Sequence, residues 1–287
     1  MARVVTADGT RISYDTFGHR AGEPLLLVMG LGIDRWGWIR QRGALGSRYL
    51  CVSPDNRGVG LSDKPVGPYE LETMADDMIA VLDAEGIDSA HLVGGSMGGA
   101  ISQIIAVKYP ERVRSLVLAC TACRVTPWRR KLLQDWIDLL DQKGSYQFAR
   151  ENIRWVLGAR HVKRLLPLAP FMLPLAVRAP ARGIRAQMQA ILGVSPLVQE
   201  NLESIAAPTL AITGSQDILT PVADAEELVE RIPDAELRIV PGAAHGFMVV
   251  NAATFNHQVL AFHDRIRARS QLGASSGAVD DAVIGNE

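Results

Sequence analysis

Four apolar runs set the frame of the chain: LLLVMG from Leu25, YLCVSPD from Tyr49, AHLVGGS from Ala90 and SLVLACT from Ser115. None alternates polar with apolar along its length, so each predicts a strand covered on both faces, as inside a parallel sheet. Ahead of them, residues 3–6 and 11–17 flank an Ala-Asp-Gly-Thr turn. Asp-Gly between two extended segments is a strong hairpin signal, so the chain is expected to open with an antiparallel hairpin. Between the strands the apolar period becomes helical. Met74, Met78, Ile79, Val81 and Leu82 recur near helical spacing within residues 71–85, with Gly86 as the stop. A second helix is predicted over residues 98–109, ended by Pro110. Such alternation specifies an α/β fold, a doubly wound sheet with right-handed crossovers.

After the run at Ser115 the pattern changes. Residues 124–199 hold helix-like segments and three close prolines, Pro167, Pro170 and Pro174, with no strand pattern. The sheet resumes at PTLAITGSQD (208–217) and ELRIVPG from Glu236, and a last helix is predicted over residues 252–267. The organisation expected is a sheet core in two parts, 1–123 and 201–268, around a helical cap insertion at 124–200. The small, polar residues 269–287 read as a disordered tail. The apolar run 165–177 is broken by the prolines and falls short of the roughly 20 residues that a bilayer span requires. It is expected either to line an entrance between cap and sheet or to form the core of the cap.

Composition narrows the partners. With 48% hydrophobic residues, 21% charged and a formal net charge of -1 over 287 residues, the chain lacks the charge excess that nucleic acid or an acidic membrane would favour. A small-molecule partner is the expectation. The N-terminal MARVVTADGT has no apolar stretch resembling a secretory signal, and a cytoplasmic location is expected. Cys51, Cys120 and Cys123 are an odd number of cysteines, two of them in strand-like runs, which favours buried free thiols. The Cys-Thr-Ala-Cys spacing matches a redox pair only superficially, because it ends a strand without the surroundings such a pair requires.

Gly94-Gly95-Ser96-Met97-Gly98 fits G-x-S-x-G, in which a serine sits on a strained strand-to-helix turn and flanking side chains would collide with the neighbouring strand and helix. The motif closes a buried strand pattern and opens a helix, the placement its mechanics demand. A serine hydroxyl needs a base, and the base needs a carboxylate to orient it. Among the six histidines, His91 begins a strand, His19 lies in the hairpin, His161 in the insertion, and His257 and His263 fall on the last helix at solvent-compatible spacing. His245 alone follows a strand in a Pro-Gly-Ala-Ala-His-Gly loop, at the carboxyl edge where open α/β sheets place ligands. Asp217 ends TLAITGSQD at the same edge, whereas Asp224 and Asp234 read as a helix residue and a turn residue. Two backbone N–H groups should face the developing oxyanion: that of Met97, after the serine, and that of Leu31 in the Met29-Gly30-Leu31-Gly32 loop.

DGTRISYDTFG, LLLVMGLG, DNRGVGLSDKP, GGSMGG, TGSQDILTP and GAAHGF occur in the order and spacing of the α/β-hydrolase family, which this sequence resembles from about residue 4 to residue 266. It looks most similar to the esterase and lactonase branch, including enol-lactonases and small-molecule methylesterases. Met29 departs from the many members with histidine at that position. The resemblance implies hydrolysis of a carboxylic ester or lactone through an acyl-enzyme on Ser96, with no metal or organic cofactor. It also puts Trp38 near the acyl pocket, although a core tryptophan fits the sequence equally.

Carbon–carbon bond hydrolysis, perhydrolysis without a cofactor, and a non-hydrolytic receptor or cyclase on the same fold stay open. Serine at position 96 argues against dehalogenase and epoxide hydrolase chemistry, which resembles members with aspartate there. A proline iminopeptidase would need carboxylates in its cap, yet residues 121–200 carry 13 Lys and Arg against 5 Asp and Glu. This basic segment is expected to face water. The sharper alternative is that one arginine, Arg154 beside Trp155, holds a substrate carboxylate bidentately. Asp55, Arg57 and Ser62 are expected to fix loop geometry rather than to catalyse.

Overall fold

The structure, a computed structural model, describes residues 1–165 and 179–283. Eight strands form one sheet in the order β1-β2-β4-β3-β5-β6-β7-β8. They are β1 Ala2–Val5, β2 Arg11–Gly18, β3 Pro24–Val28, β4 Leu50–Pro54, β5 Ala90–Gly95, β6 Val113–Ala119, β7 Thr209–Gly214 and β8 Ala235–Val240. The expected hairpin is present: β1 pairs antiparallel with β2, with Val4 opposite Ile12, and β2 pairs antiparallel with β4. From β4 to β8 all neighbours are parallel.

Burial follows the pattern in the sequence. All six residues of β5 and all six of β7 are buried, whereas β1 alternates between half-buried and exposed positions, as an edge strand with one wet face does. Successive residues of β3 divide between two cores. Leu26 and Val28 join Met74, Met78, Leu82, Ile101 and Ile105 on one face, and Leu25 and Leu27 join Trp38, Phe255, Val259 and Phe262 on the other. The first face is covered by α2 (Leu71–Ala84) and α3 (Met97–Lys108), which follow α1 (Arg42–Gly46) in the chain.

Between β6 and β7 the described residues are helical: α4 (Pro127–Leu165), α5 (Ala181–Leu192) and α6 (Leu197–Asn201). The helical stretch α4 is broken at Gly144 and Gly158, both at positive φ, which glycine tolerates without a Cβ clash. Leu133, Ile137 and Leu140 of α4 pack with Ile184 and Met188 of α5 in a core of their own above the sheet. The apolar run 165–177 falls, beyond Leu165, outside the described residues. The chain closes with α7 (Val222–Arg231), α8 (Phe247–Val250) and α9 (Ala252–Val283). Thus α9 runs past residue 267, where the sequence pattern ends its helix; no proline follows Ala252 to stop it. No helix among the described residues is long and apolar enough to cross a membrane.

The loop-fixing group behaves as its composition implies. Asp55 accepts from the Arg35 and Leu61 amides at 2.8 Å each. Ser62 Oγ donates to the Asp55 carbonyl at 2.6 Å and accepts from the Ser13 amide at 2.8 Å. Arg57 grips Asp77 with Nε and Nη2, both at 2.7 Å, and Asp8 with Nη1 at 2.9 Å.

His263 corrects the sequence pattern. It is buried, at 2% exposure, beside Tyr49, His91 and Phe262, because it lies eight residues after Phe255 on the same face of α9. Burial, with His91 and Arg267 nearby, pushes its imidazole down to about 3, and burial likewise lowers His91, against the pull of Glu23. Tyr49, Glu23, Arg114 and Arg267 complete the surroundings. Below the unfolded value near 6.5 the unfolded chain therefore binds protons that the fold refuses, and stability falls with pH. We expect His263→Leu to lose about 2 kcal/mol less stability than the parent between pH 7 and pH 5, read from urea midpoints. Equal acid losses would contradict this origin.

Candidate active site

Between β5 and α3 the chain turns at Ser96 alone, with φ 53° and ψ −119°. A non-glycine residue in this region is strained by about 1–3 kcal/mol and persists only when its surroundings enforce it. Two glycines do so by absence of bulk. A Cβ on Gly98 would lie 2.1 Å from the Val28 carbonyl oxygen, and one on Gly94 would lie 2.5 Å from both Gly98 O and Ser102 Oγ. The turn is also tied: Ser96 N–H donates to Ala119 O at 2.9 Å, and Thr121 Oγ1 donates to Ser96 O at 2.8 Å.

The loops after β7 and β8 bring the other two residues to the same edge. His245 Nε2 lies 3.0 Å from Ser96 Oγ, and Nδ1 lies 2.8 Å from Asp217 Oδ2. Asp217 Oδ1 accepts from the Leu219 and Thr220 amides at 2.9 and 3.0 Å, and Oδ2 also accepts from Thr220 Oγ1 at 2.8 Å. Burial alone would raise the Asp217 carboxyl, but the facing His245 and the Thr220 donors outweigh it and hold the group below its usual 3.8. An ionised carboxylate only accepts, so the His245 proton sits on Nδ1. Nε2 of the neutral ring is then the acceptor that faces the Ser96 hydroxyl.

Leu31 and Met97 line one cavity with Ser96 and His245. Met97 is the first residue of α3, whose opening N–H groups have no partner within the helix. The loop holding Leu31 is pressed close: a Cβ on Gly30 would lie 3.2 Å from Ser96 Cβ. Asn56 Nδ2 donates to Met29 O at 2.8 Å, and Gln187 Oε1 accepts from Gly32 N–H at 2.8 Å, so the loop is fixed at both ends. Met29 is itself buried among the sheet residues.

The cavity measures about 110 Å³. Its described lining is largely apolar and includes Ile104, Leu133, Trp136, Ile191 and Val198. Trp38 is not among the described lining residues. It is fully buried in the sheet core, 6.3 Å from the Phe255 ring, so of the two readings of this tryptophan the core one applies. Arg154 is also absent from the described lining; it is exposed, with its guanidinium 5.6 Å from the Trp155 ring. Arg129 lines the cavity instead. Its Nε donates to Leu219 O at 3.0 Å, Nη1 to Arg124 O at 2.7 Å, and Nη2 to Asp224.

Gln187 and Arg129 carry no motif signal, since each acts through folded geometry. Asn56 and Thr220 lie inside the DNRGVGLSDKP and TGSQDILTP segments, and Thr220 stands three residues after the predicted acid, but the fold alone shows which groups they hold. Cys51, Cys120 and Cys123 are all free and buried. A sulfur, nitrogen or oxygen ligand atom of Cys120, His245 and Asp217 lies within 4.8 Å of the others. Burial and the Asp217 charge push the Cys120 thiol well up, so it stays protonated beside Asp217 and His245.

An eight-stranded, mostly parallel sheet that presents a serine on a strained turn beside a histidine and a buried carboxylate defines a class of protein. The chain belongs to the alpha/beta hydrolase fold family, whose model matches residues 23–252. It is 30% identical over 263 residues to the "Putative carbamate hydrolase RutD" of Caulobacter segnis, covering 90% of this chain and 97% of that protein. It is 29% identical over 262 residues to 3-oxoadipate enol-lactonase 2 of Acinetobacter baylyi, covering 91% and 96%. An enol-lactonase structure from Burkholderia xenovorans superposes with a TM-score of 0.84 at 24% identity, covering 92% of this chain and all of the other, and shows the same fold.

Thr220→Val keeps the shape of the side chain and removes the donor to Asp217 Oδ2. Hydrogen bonds to charged groups contribute about 1.5–3 kcal/mol, and we expect a stability loss of that size at pH 7 in urea unfolding. Because the Asp217 value is depressed, its contribution is present above 3.8 and fades as pH falls through the folded value. An unchanged midpoint at pH 7 would show that the hydroxyl does not support the carboxylate.

Proposed function

We propose that this protein is a serine hydrolase that cleaves a carboxylic ester or lactone of a small organic molecule through an acyl-enzyme on Ser96. The single observation that carries the reading is the continuous line Ser96 Oγ, His245 Nε2, His245 Nδ1, Asp217 Oδ2, with links of 3.0 and 2.8 Å about one imidazole. Ser96 Oγ attacks the substrate carbonyl carbon as its proton passes to Nε2. The carbonyl oxygen becomes an alkoxide and takes hydrogen bonds from the Leu31 and Met97 amides. Collapse of the intermediate expels the alcohol oxygen, which receives the Nε2 proton. Water then repeats the cycle on the acyl-enzyme, with His245 again as base and acid. Asp217, held ionised, stabilises the imidazolium at each stage. No step requires a metal or an organic cofactor.

The names of the relatives, which speak of a carbamate and an enol-lactone, support acyl transfer to water. Lining residues such as Leu133, Trp136, Ile191 and Val198 support reading residues 124–200 as a cap over the site.

Ser96→Ala should lower kcat on 4-nitrophenyl acetate and on small lactones by roughly a millionfold, the scale of nucleophile removal in serine hydrolases. Asp217→Asn should lower it by about 10⁴-fold, since the wrong tautomer is then held. Steady-state assays of both variants decide the matter. Turnover by Ser96→Ala equal to that of the parent would overturn the proposal.

A further inference from the structure

The cavity beside Ser96 is apolar, but two arginines stand in its wall, and their state decides which substrates fit. Arg124 and Arg129 both line it. Each meets a carboxylate from one face of α7. Arg124 Nε lies 2.9 Å from both oxygens of Glu227, and Arg129 Nη2 binds Asp224 three residues earlier on that helix. Arg129 also donates from Nε to the Leu219 carbonyl at 3.0 Å and from Nη1 to the Arg124 carbonyl at 2.7 Å. Its side chain is only 12% exposed and that of Asp224 9%, so this pair is enclosed and its charges cancel locally.

The structure thus assigns to the site an uncharged, apolar acyl group, and we propose that carboxylate-bearing esters and lactones are rejected; this inference rests on the hydrolase reading above. The physical reason is desolvation. A carboxylate entering a largely apolar cavity loses its water, and among the described lining residues both cations already face an acid. An aliphatic chain gains from contact with Ile104, Leu133, Trp136 and Val198. The enclosed pair is the one to undo, and replacing Asp224 does so without replacing Ser96, His245 or Asp217, whereas the Arg124–Glu227 pair is more exposed, at 46% and 22%.

The test compares 4-nitrophenyl pentanoate with the 4-nitrophenyl monoester of glutaric acid, which has the same chain length and a carboxylate in place of the terminal methyl. In the parent, kcat/KM should favour the neutral ester by about 100-fold or more, as an unpaired carboxylate in an apolar cavity demands. In Asp224→Asn, which leaves Arg129 without its acid, the ratio should narrow by about tenfold. Equal kcat/KM values, or preference for the anionic ester, in the parent would overturn the inference. An unchanged ratio in Asp224→Asn would overturn the assignment of selectivity to the paired arginine. If neither ester is turned over, the hydrolase reading fails by itself. Calorimetry on Ser96→Ala then decides the inference separately: tighter binding of methyl pentanoate than of monomethyl glutarate upholds it, and the reverse overturns it.

Discussion

At the end of β5 the backbone reverses through one residue, Ser96, held at a φ of 53° by packing that leaves no room for side chains on either side. The contact that enforces this is the approach of Gly98 to the Val28 carbonyl, where the first turn of α3 rests on the last residue of β3. Much of the site depends on that approach. It aims the Ser96 hydroxyl out of the sheet edge, and it starts α3 at Met97, which lines the cavity together with Ser96. It also lets the Met29–Gly32 loop lie close beside the serine. The strain is met by the two parallel strands that flank β5, through Ser96 N–H to Ala119 O on β6 and through the β3 end itself.

A second constraint lies at the buried carboxylate. Asp217 is an acid inside the protein, and it is kept ionised by four hydrogen-bonding contacts, from two amides, one hydroxyl and the His245 ring. The same turn is bound from above. Arg129 of α4 donates to the Leu219 carbonyl, and Gly246, next to His245, donates its N–H to Val156 O of α4 at 2.6 Å. The helical segment inserted between β6 and β7 therefore touches both the acid turn and the histidine turn. Groups that shape the cavity and groups that orient the imidazole share a framework of short-range contacts.

Much of this arrangement was legible in the sequence, for a physical reason. Strands buried on both faces must be apolar throughout, so β3, β5, β6 and β7 announce themselves, and sharp turns at their ends need glycine and leave chemistry-bearing residues at one edge. Ser96, Asp217 and His245 stand at such edges and meet in space. What was not legible depends on long-range packing. Trp38 follows the Met29–Gly32 loop in sequence but turns into the core against Phe255. Arg154 and Arg129 are both arginines of one basic segment, and only the folded geometry separates the one that faces solvent from the one that faces the cavity. His263 carries a polar name on a buried helix face, and the spacing from Phe255 was the available signal.

The central claim is that Ser96 is made nucleophilic by His245. It is tested most directly by treating the protein with a serine-reactive fluorophosphonate and mapping the adduct by peptide mass spectrometry. A single phosphonyl group on the peptide containing Ser96, formed quickly in the parent and at least about 1000-fold more slowly in His245→Ala, is the predicted result. Modification at another residue, or equal labelling of Ser96 with and without the imidazole, would contradict the account.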